Sequence, residues 1–415
     1  MDPIEARARH AKAAAPTLAA APTDRKNRVL RGAAQRIEAM EAELIARSAA
    51  DVEAARAAGS SAALLDRLRL DRARIVGIAR GLGQIAELPD PVGHVEDLRR
   101  RPNGLAVGRM RVPLGLVAIV YEARPNVTAE AAALCLKSGN AALLRGGKEA
   151  LSTNRLLARA FADALVDEGL DPALVSFVDS TDREGVRTLA RLTGVVDLLI
   201  PRGGEGLIRF VVEHATVPVI QHFQGICHVY VDGAADLAMA ESIAINAKTQ
   251  RPGVCNAMET LLIDAAVAGS FLPPLSRAMR ARGVELRGCP RARALVDSLV
   301  PATEADWDAE YLDLVLAVRI VDGLDGALAH IRRHGSLHTE AIVTRDHARA
   351  QRFLREVDAS LVLVNASTRF NDGFELGLGA EMGISTTKLH AYGAMGLEEL
   401  TARKWIAYGD GQVRS

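Results

Sequence analysis

Apolar positions in the first ninety or so residues recur at helical spacing. Val29, Leu30, Ala33, Ile37, Met40, Leu44 and Ile45 keep the three- and four-residue intervals of one helix face, with Thr23-Asp24 as the expected N-cap. Gly59 and then Pro89-Asp90-Pro91 punctuate the end of this stretch. From Arg99 onward the pattern turns strand-like, and Leu105-Ala106-Val107 and the run 116–120, separated by Pro113 and Gly115, predict a hairpin or an extended arm over 99–120. Apolar runs at 116–121, 141–144, 174–178 and 195–200 then alternate with helical patterns at 128–137, 152–168 and 182–192. That alternation predicts parallel β-α-β units.

A second α/β portion follows Val229-Tyr230-Val231-Asp232 and ends near the apolar strand Leu361-Val362-Leu363-Val364. The last fifty residues open with the Gly-rich stretch 373–383 and finish with Trp405-Ile406-Ala407-Tyr408, an apolar tail of the kind that packs on another domain or subunit. A chain of 415 residues is too long for one hydrophobic core, so the expected division is 1–232, 233–365 and 366–415. Open parallel sheets bind ligands at the C-terminal ends of their strands, which sets Arg124-Pro125-Asn126, Arg145-Gly146-Gly147-Lys148 and Pro201-Arg202-Gly203-Gly204 along one rim.

Composition narrows the function classes. With 51 basic and 51 acidic residues, no excess positive charge marks a nucleic-acid or membrane-surface binder, and a small soluble ligand is expected. Cys135, Cys227, Cys255 and Cys289 are far apart and form no CxxC pair, which argues against disulfides and structural zinc and for a reducing compartment. The alanine-rich run 11–21 is interrupted by Pro16 and reads as helix rather than signal peptide, and nowhere do roughly 18 apolar residues run uninterrupted. A cytoplasmic location is expected. Only seven of the basic residues are lysines, and Lys137, Lys148, Lys248 and Lys388 fall in the stretches that carry the chemistry.

The sharpest candidate is Cys255. It stands in the turn Gln250-Arg251-Pro252-Gly253-Val254-Cys255-Asn256, between a helical pattern and the strand-like run 259–263. A thiol there is a nucleophile if positive charge lowers its pKa, and Lys248 and Arg251 flank the turn. Gly203 and Gly204 open a helix after a strand and could offer backbone N–H groups to a phosphate, while Arg145 and Lys148 could pair with one. His334 and His338 have the spacing of helical metal ligands, but Gly335 and Ser336 between them argue for a loop, and no metal site is expected. His222 and His228 lie near the domain junction, where a substrate-orienting or a purely structural histidine would be equally in place.

Four segments taken together, Val112-Pro113-Leu114-Gly115-Leu116-Val117, Tyr121-Glu122-Ala123-Arg124-Pro125-Asn126, Lys248 through Asn256, and Gly377 through Thr386, resemble the gamma-glutamyl phosphate reductases of the aldehyde dehydrogenase superfamily. The resemblance runs from about Leu64 almost to the C-terminus. It implies an α/β, aldehyde dehydrogenase-like architecture: a Rossmann-like cofactor domain, an α/β catalytic domain and a small oligomerisation element, assembled as a homo-oligomer. The activity it implies is NADPH-dependent reduction of L-glutamate 5-phosphate to L-glutamate 5-semialdehyde, the second step of proline biosynthesis. An association with the glutamate 5-kinase that makes this unstable substrate is a further implied partner.

In that resemblance Cys255 matches the nucleophile and Asn126 the asparagine that helps hold the oxyanion. His222 stands where hydrolytic members carry a water-activating glutamate, so the thioester is expected to survive until hydride reaches it. Lys148, near Arg145, replaces the ribose-binding acid of NAD-preferring members and favours the 2′-phosphate of NADPH. Glu310 matches the glutamate that touches the nicotinamide ribose. Arg369 and Lys388 are candidates for anionic substrate or cofactor groups. An oxidative semialdehyde dehydrogenase and a catalytically silent scaffold remain open as rivals.

Overall fold

The computed structural model describes residues 2–414. Five helices come first: α1 (Pro3–Ala19), α2 (Thr23–Ala39), α3 (Glu41–Ala57), α4 (Ala62–Leu68) and α5 (Arg72–Glu87). Asp2, Ser61 and Asp71 cap α1, α4 and α5 by accepting from the first-turn amides of Ile4, Leu64 and Arg74. The N-cap of α2 is Pro22, not Thr23-Asp24; its extended backbone starts the helix, and Asp24 lies in the first turn, where a negative charge suits the helix dipole. The expected apolar stripe holds, since Val29, Leu30, Ala33 and Ile37 are buried.

A hairpin of β1 (Val95–Arg100) and β2 (Ala106–Pro113) leaves the helices and is antiparallel. Four parallel strands with covering helices follow: β3 (Leu116–Tyr121), α6 (Pro125–Lys137), β4 (Ala141–Arg145), α7 (Leu151–Asp167), β5 (Val175–Phe177), α8 (Arg183–Arg191), β6 (Leu198–Arg202) and α9 (Glu205–His214). Their spatial order is β5-β4-β3-β6. The chain direction across the sheet therefore reverses between β3 and β6, and a crevice opens at their C-terminal ends. Every residue of β3 and β4 is buried, as expected of a parallel sheet covered on both faces.

The second sheet has seven parallel strands in the order β10-β9-β11-β8-β7-β12-β13. In chain order its elements are β7 (Cys227–Val231), α10 (Leu237–Thr249), β8 (Met258–Asp264), α11 (Ala265–Arg280), β9 (Glu285–Gly288), α12 (Pro290–Leu295), β10 (Val300–Pro301), β11 (Val315–Val321), α13 (Gly323–His334), β12 (Thr339–Val343), α14 (His347–Glu356) and β13 (Leu361–Val364). Period-two alternation divides the strands between two cores: Val229, Leu261 and Ala341 pack on one face, Tyr230, Leu262 and Ile342 on the other.

The chain then returns to the first sheet. Ala380, Met382, Ala391, Met395, Leu397 and Leu400 join the core around β3 and β4. Two short strands, β14 (Ile384–Ser385) and β15 (Gly393–Ala394), pair with each other. The last strand, β16 (Thr401–Tyr408), lies antiparallel along the whole of β2 and completes a three-stranded sheet with the hairpin. Among the described residues no helix is long and apolar enough to cross a membrane.

Candidate active site at Cys255

Cys255 sits in the turn between α10 and β8, at the N-terminal edge of the seven-stranded sheet. The two ends of the turn are tied by an ion pair between Lys248 and Glu259, 2.6 Å apart with both side chains fully buried. Lys248 is thus committed to Glu259 and does not supply the thiol with positive charge, contrary to the expectation from its place in the sequence. The segment 222–226 presses on the turn from the other side. Gly225 is required there because a Cβ would overlap the Cys255 carbonyl. That same carbonyl accepts a hydrogen bond from Cys227 Sγ at 3.1 Å.

Charge around the sulfur comes from residues distant in sequence. Burial pushes the Cys255 thiol up to about 12, the Glu381 carboxylate adds to the rise, and Arg202 opposes it. Although Cys255 keeps a solvent-facing edge, it is a protonated thiol at neutral pH in this conformation, because burial outweighs the positive charge near it. Arg202 ends β6 and lies against Gly383, whose positive φ of 148° and missing Cβ leave room for the guanidinium. Arg124 and Arg369 also feel the Cys255 charge, so three arginines lie within electrostatic reach of the sulfur. Arg369 is braced by Gln250 at 2.8 Å. The roles of Arg202, Arg124 and Glu381 are missed by sequence reasoning; their one signal is that each lies inside a Gly- or Pro-rich turn already singled out.

Two imidazoles face the thiol. A ring nitrogen of His222, one of His338 and the Cys255 sulfur all lie within 4.8 Å of one another. His222 directs Nδ1 to the Ile384 carbonyl at 3.0 Å, and burial with the nearby Arg202 lowers its pKa to about 4. Burial lowers His338 to about 3. Both rings are neutral at physiological pH. The helical pair considered from sequence does not converge: His334 turns to Asp308 at 2.7 Å, whereas His338 points towards Cys227 and Thr339. His228 is fully buried against Glu340 at 2.9 Å and is structural.

The remaining candidates divide. Asn126 lies in the first turn of α6 and donates one amide hydrogen to Glu130 at 3.1 Å, leaving the other available. Glu310 accepts from the Gly225 amide at 2.9 Å and so supports the segment beside Cys255. Lys148 is exposed above the Gly146-Gly147 turn and makes no ion pair among the described residues. Arg145 is different from expectation: it is buried and donates to the carbonyls of Thr181 and Asp182, which braces the loop after β5 instead of reaching the rim. The Gly204 amide donates to Glu122 at 2.9 Å, and Gly203 is packed against the same carboxylate, so one of the backbone donors of this turn is engaged within the chain. Lys388 pairs with Asp358 at 2.6 Å, both exposed, in a surface ion pair.

Comparison with known proteins agrees with this architecture. The model of the aldehyde dehydrogenase family matches residues 2–287. A gamma-glutamyl phosphate reductase of Geobacter metallireducens is 55% identical over 404 residues, covering 97% of each chain. One from Geotalea daltonii is 54% identical over the same length and coverage. The crystal structure of gamma-glutamyl phosphate reductase from Thermotoga maritima superposes with a TM-score of 0.98 at 44% identity, covering 100% of both chains.

Proposed function

The chain belongs to the aldehyde dehydrogenase family, and on that premise we propose that it reduces L-glutamate 5-phosphate to L-glutamate 5-semialdehyde and phosphate through a thioester on Cys255. The observation that carries this reading is the convergence of Arg124, Arg202 and Arg369 on one thiol. An acyl phosphate that also bears a carboxylate brings several negative charges to the nucleophile, and three guanidinium groups match them. An oxidative hydrolytic enzyme would want a base beside the thioester, and the place after Gln221 holds neutral His222.

As the sulfur of Cys255 bonds to the acyl carbon, the bond to phosphate breaks and the thiol proton leaves with the departing phosphate. Acylation is therefore coupled to proton transfer, because the resting thiol is not ionised. The free amide hydrogen of Asn126 stabilises the developing oxyanion. When bound, the nicotinamide supplies the hydride that reduces the thioester. Collapse of the adduct then breaks the carbon–sulfur bond and releases the aldehyde, and the sulfur regains a proton from solvent.

A nicotinamide dinucleotide would lie over the C-terminal ends of β4, β3 and β6, beside the point where the strand order reverses. Gly146 and Gly147 lie so close to Asn154 and Glu149 that side chains there would overlap them, which keeps the turn flat and the Lys148 ammonium free above it. Lys148 is the residue that would meet a 2′-phosphate, which favours NADPH over NADH. Glu310, which accepts from the Gly225 amide through one oxygen, would hold the nicotinamide ribose through the other. We read the sheet of β1, β2 and β16, where Trp405 and Tyr408 are exposed, as the face that joins copies of the chain. Hand-over from the kinase that makes the short-lived acyl phosphate fits the same scheme.

The test is an assay in the oxidative direction with glutamate 5-semialdehyde, NADP and inorganic phosphate. The expected result is NADPH formation that requires phosphate. NADPH formation at the same rate without phosphate would assign the chain to a hydrolytic reaction instead.

A further inference from the structure

The open nitrogen on each of the two imidazoles beside Cys255 is Nε2, since Nδ1 of His222 is used by Ile384 and Nδ1 of His338 lies 2.7 Å from Thr339 Oγ1. His338 is fully buried, and its Nε2 has no hydrogen-bond partner. His228 and His330 also hold an unpartnered buried Nε2, but of the three rings only that of His338 lies beside the nucleophile. The cluster as a whole comprises one sulfur and two nitrogens within 4.8 Å of one another. We propose that Cys255, His222 and His338 form a reversible binding site for a borderline-soft divalent cation, Zn²⁺ above all, which closes the enzyme by capping its nucleophile.

The donor set is the argument. One thiolate and two imidazoles, with a fourth position left to water, is a ligand set that tetrahedral Zn²⁺ accepts and that Mg²⁺ or Ca²⁺ does not. With metal–sulfur and metal–nitrogen bonds of about 2.3 and 2.0 Å, ligand atoms around such an ion stand roughly 3.5 Å apart. From separations of at most 4.8 Å the ligand atoms need to close by no more than about 1.3 Å, through small movements of Cys255 on its partly exposed turn and of the partly buried His222 ring.

The outer shell is already built. Thr339 Oγ1 accepts from Asn371 Nδ2 at 2.7 Å and has a second lone pair for the Nδ1–H of His338, while the Ile384 carbonyl holds the Nδ1–H of His222. His222 is thereby fixed with Nε2 as its ligand atom, and the His338 tautomer that donates to Thr339 presents Nε2 likewise, the arrangement by which protein metal sites orient histidine. Glu381 and Glu310 add negative charge near the sulfur, against the positive charge of Arg202, Arg124 and Arg369.

Binding exchanges the thiol proton for the cation: a metal–sulfur bond forms, the proton goes to solvent, and no electrons are transferred. The same sulfur cannot then attack an acyl carbon. The site is built on the reacting thiol itself, so it is a reversible inhibitory site and not that of a resident metal.

The test uses the full-length, cofactor-free protein, with Co²⁺ as a spectroscopic probe and Zn²⁺ titrated against a chromogenic chelator. Expected are one site per chain, a thiolate-to-cobalt charge-transfer band that Cys255→Ser removes, and d–d absorption of tetrahedral intensity. Zn²⁺ affinity should fall at least about tenfold in His338→Gln and in His222→Gln, since even outer-shell partners of metal ligands are worth that much. Inhibition by Zn²⁺ should be reversed by chelator. Equal Zn²⁺ affinity in the wild type and both histidine variants would show capture by the thiol alone and overturn the site, as would the absence of the charge-transfer band. Should His338→Gln fail to fold, His222→Gln decides, because that ring is only partly buried.

Discussion

Lys248 Nζ lies 2.6 Å from Glu259 Oε2, with both side chains shut away from solvent under the turn that presents Cys255. The pair joins the last turn of α10 to the first residues of β8, and Glu259 also accepts from the Leu312 amide at 3.3 Å. Lys248→Met should therefore leave an uncompensated buried carboxylate and cost about 3–5 kcal/mol. Adding Glu259→Leu should restore most of that loss. Chemical denaturation of the single and double variants measures it, and a single variant within about 1 kcal/mol of wild type would show that the pair does not hold the turn.

Cys255→Ala should abolish hydride transfer while leaving NADPH binding nearly intact, because the thiol enters the chemistry and Lys148 lies on the other sheet. Residual turnover above about a thousandth of wild type would rule out covalent catalysis at this residue. Cofactor fluorescence titration supplies the binding half of the comparison.

The resting thiol should react slowly. Since its pKa is raised to about 12, alkylation of Cys255 in the cofactor-free protein should quicken about tenfold per pH unit through the neutral range and level off only near that value. Glu381→Gln removes a negative charge that raises the pKa, so it should lower the pKa and speed alkylation at pH 7. Slower or unchanged alkylation in that variant would contradict the placement of Glu381 beside the sulfur.

Lys148→Glu should move cofactor preference from NADPH towards NADH, by removing the partner of a 2′-phosphate and offering a carboxylate to the ribose 2′-hydroxyl. The ratio of kcat/KM for the two cofactors is the readout. Arg145→Ala, in contrast, should reduce stability more than it changes that ratio, because its guanidinium is spent on the carbonyls of Thr181 and Asp182.

His222→Glu should open the thioester to water and produce glutamate without consuming NADPH, since it places a carboxylate base where a neutral ring now stands. A trapped acyl-enzyme that decays no faster in the variant, with the new carboxylate seen beside Cys255, would refute the idea that His222 protects the intermediate.

Strand periodicity is legible in the sequence where a strand is buried on both faces. The runs 116–121 and 141–144 fall on β3 and β4, because continuous apolar residues in a sheet covered on both faces have few other uses. The same reasoning is blind to β1, whose Glu96, Asp97, Arg99 and Arg100 give no apolar alternation and which owes its strand form to pairing with β2. At the site, Cys255 announces itself through its turn. Arg202 and Glu381 do not, because they act on the sulfur only after two sheets and a returning loop have met. Lys248 shows the converse error: adjacency along the chain places it near the thiol in number, while helix geometry turns its ammonium inward to Glu259.

The antiparallel register that matches Thr401 to Pro113 and Tyr408 to Ala106 also sets an order of events during synthesis. Once β1 and β2 have left the ribosome, they form a two-stranded ribbon with an open edge, a structure of little stability by itself. Its third strand is made only after the entire seven-stranded sheet has been translated. Throughout that interval the edge of β2 is open to any other extended segment, including the β16 of a neighbouring nascent chain. A swap between chains would conserve every hydrogen bond of the ladder, so the timing of translation, and not the final energy, decides which copy supplies the strand.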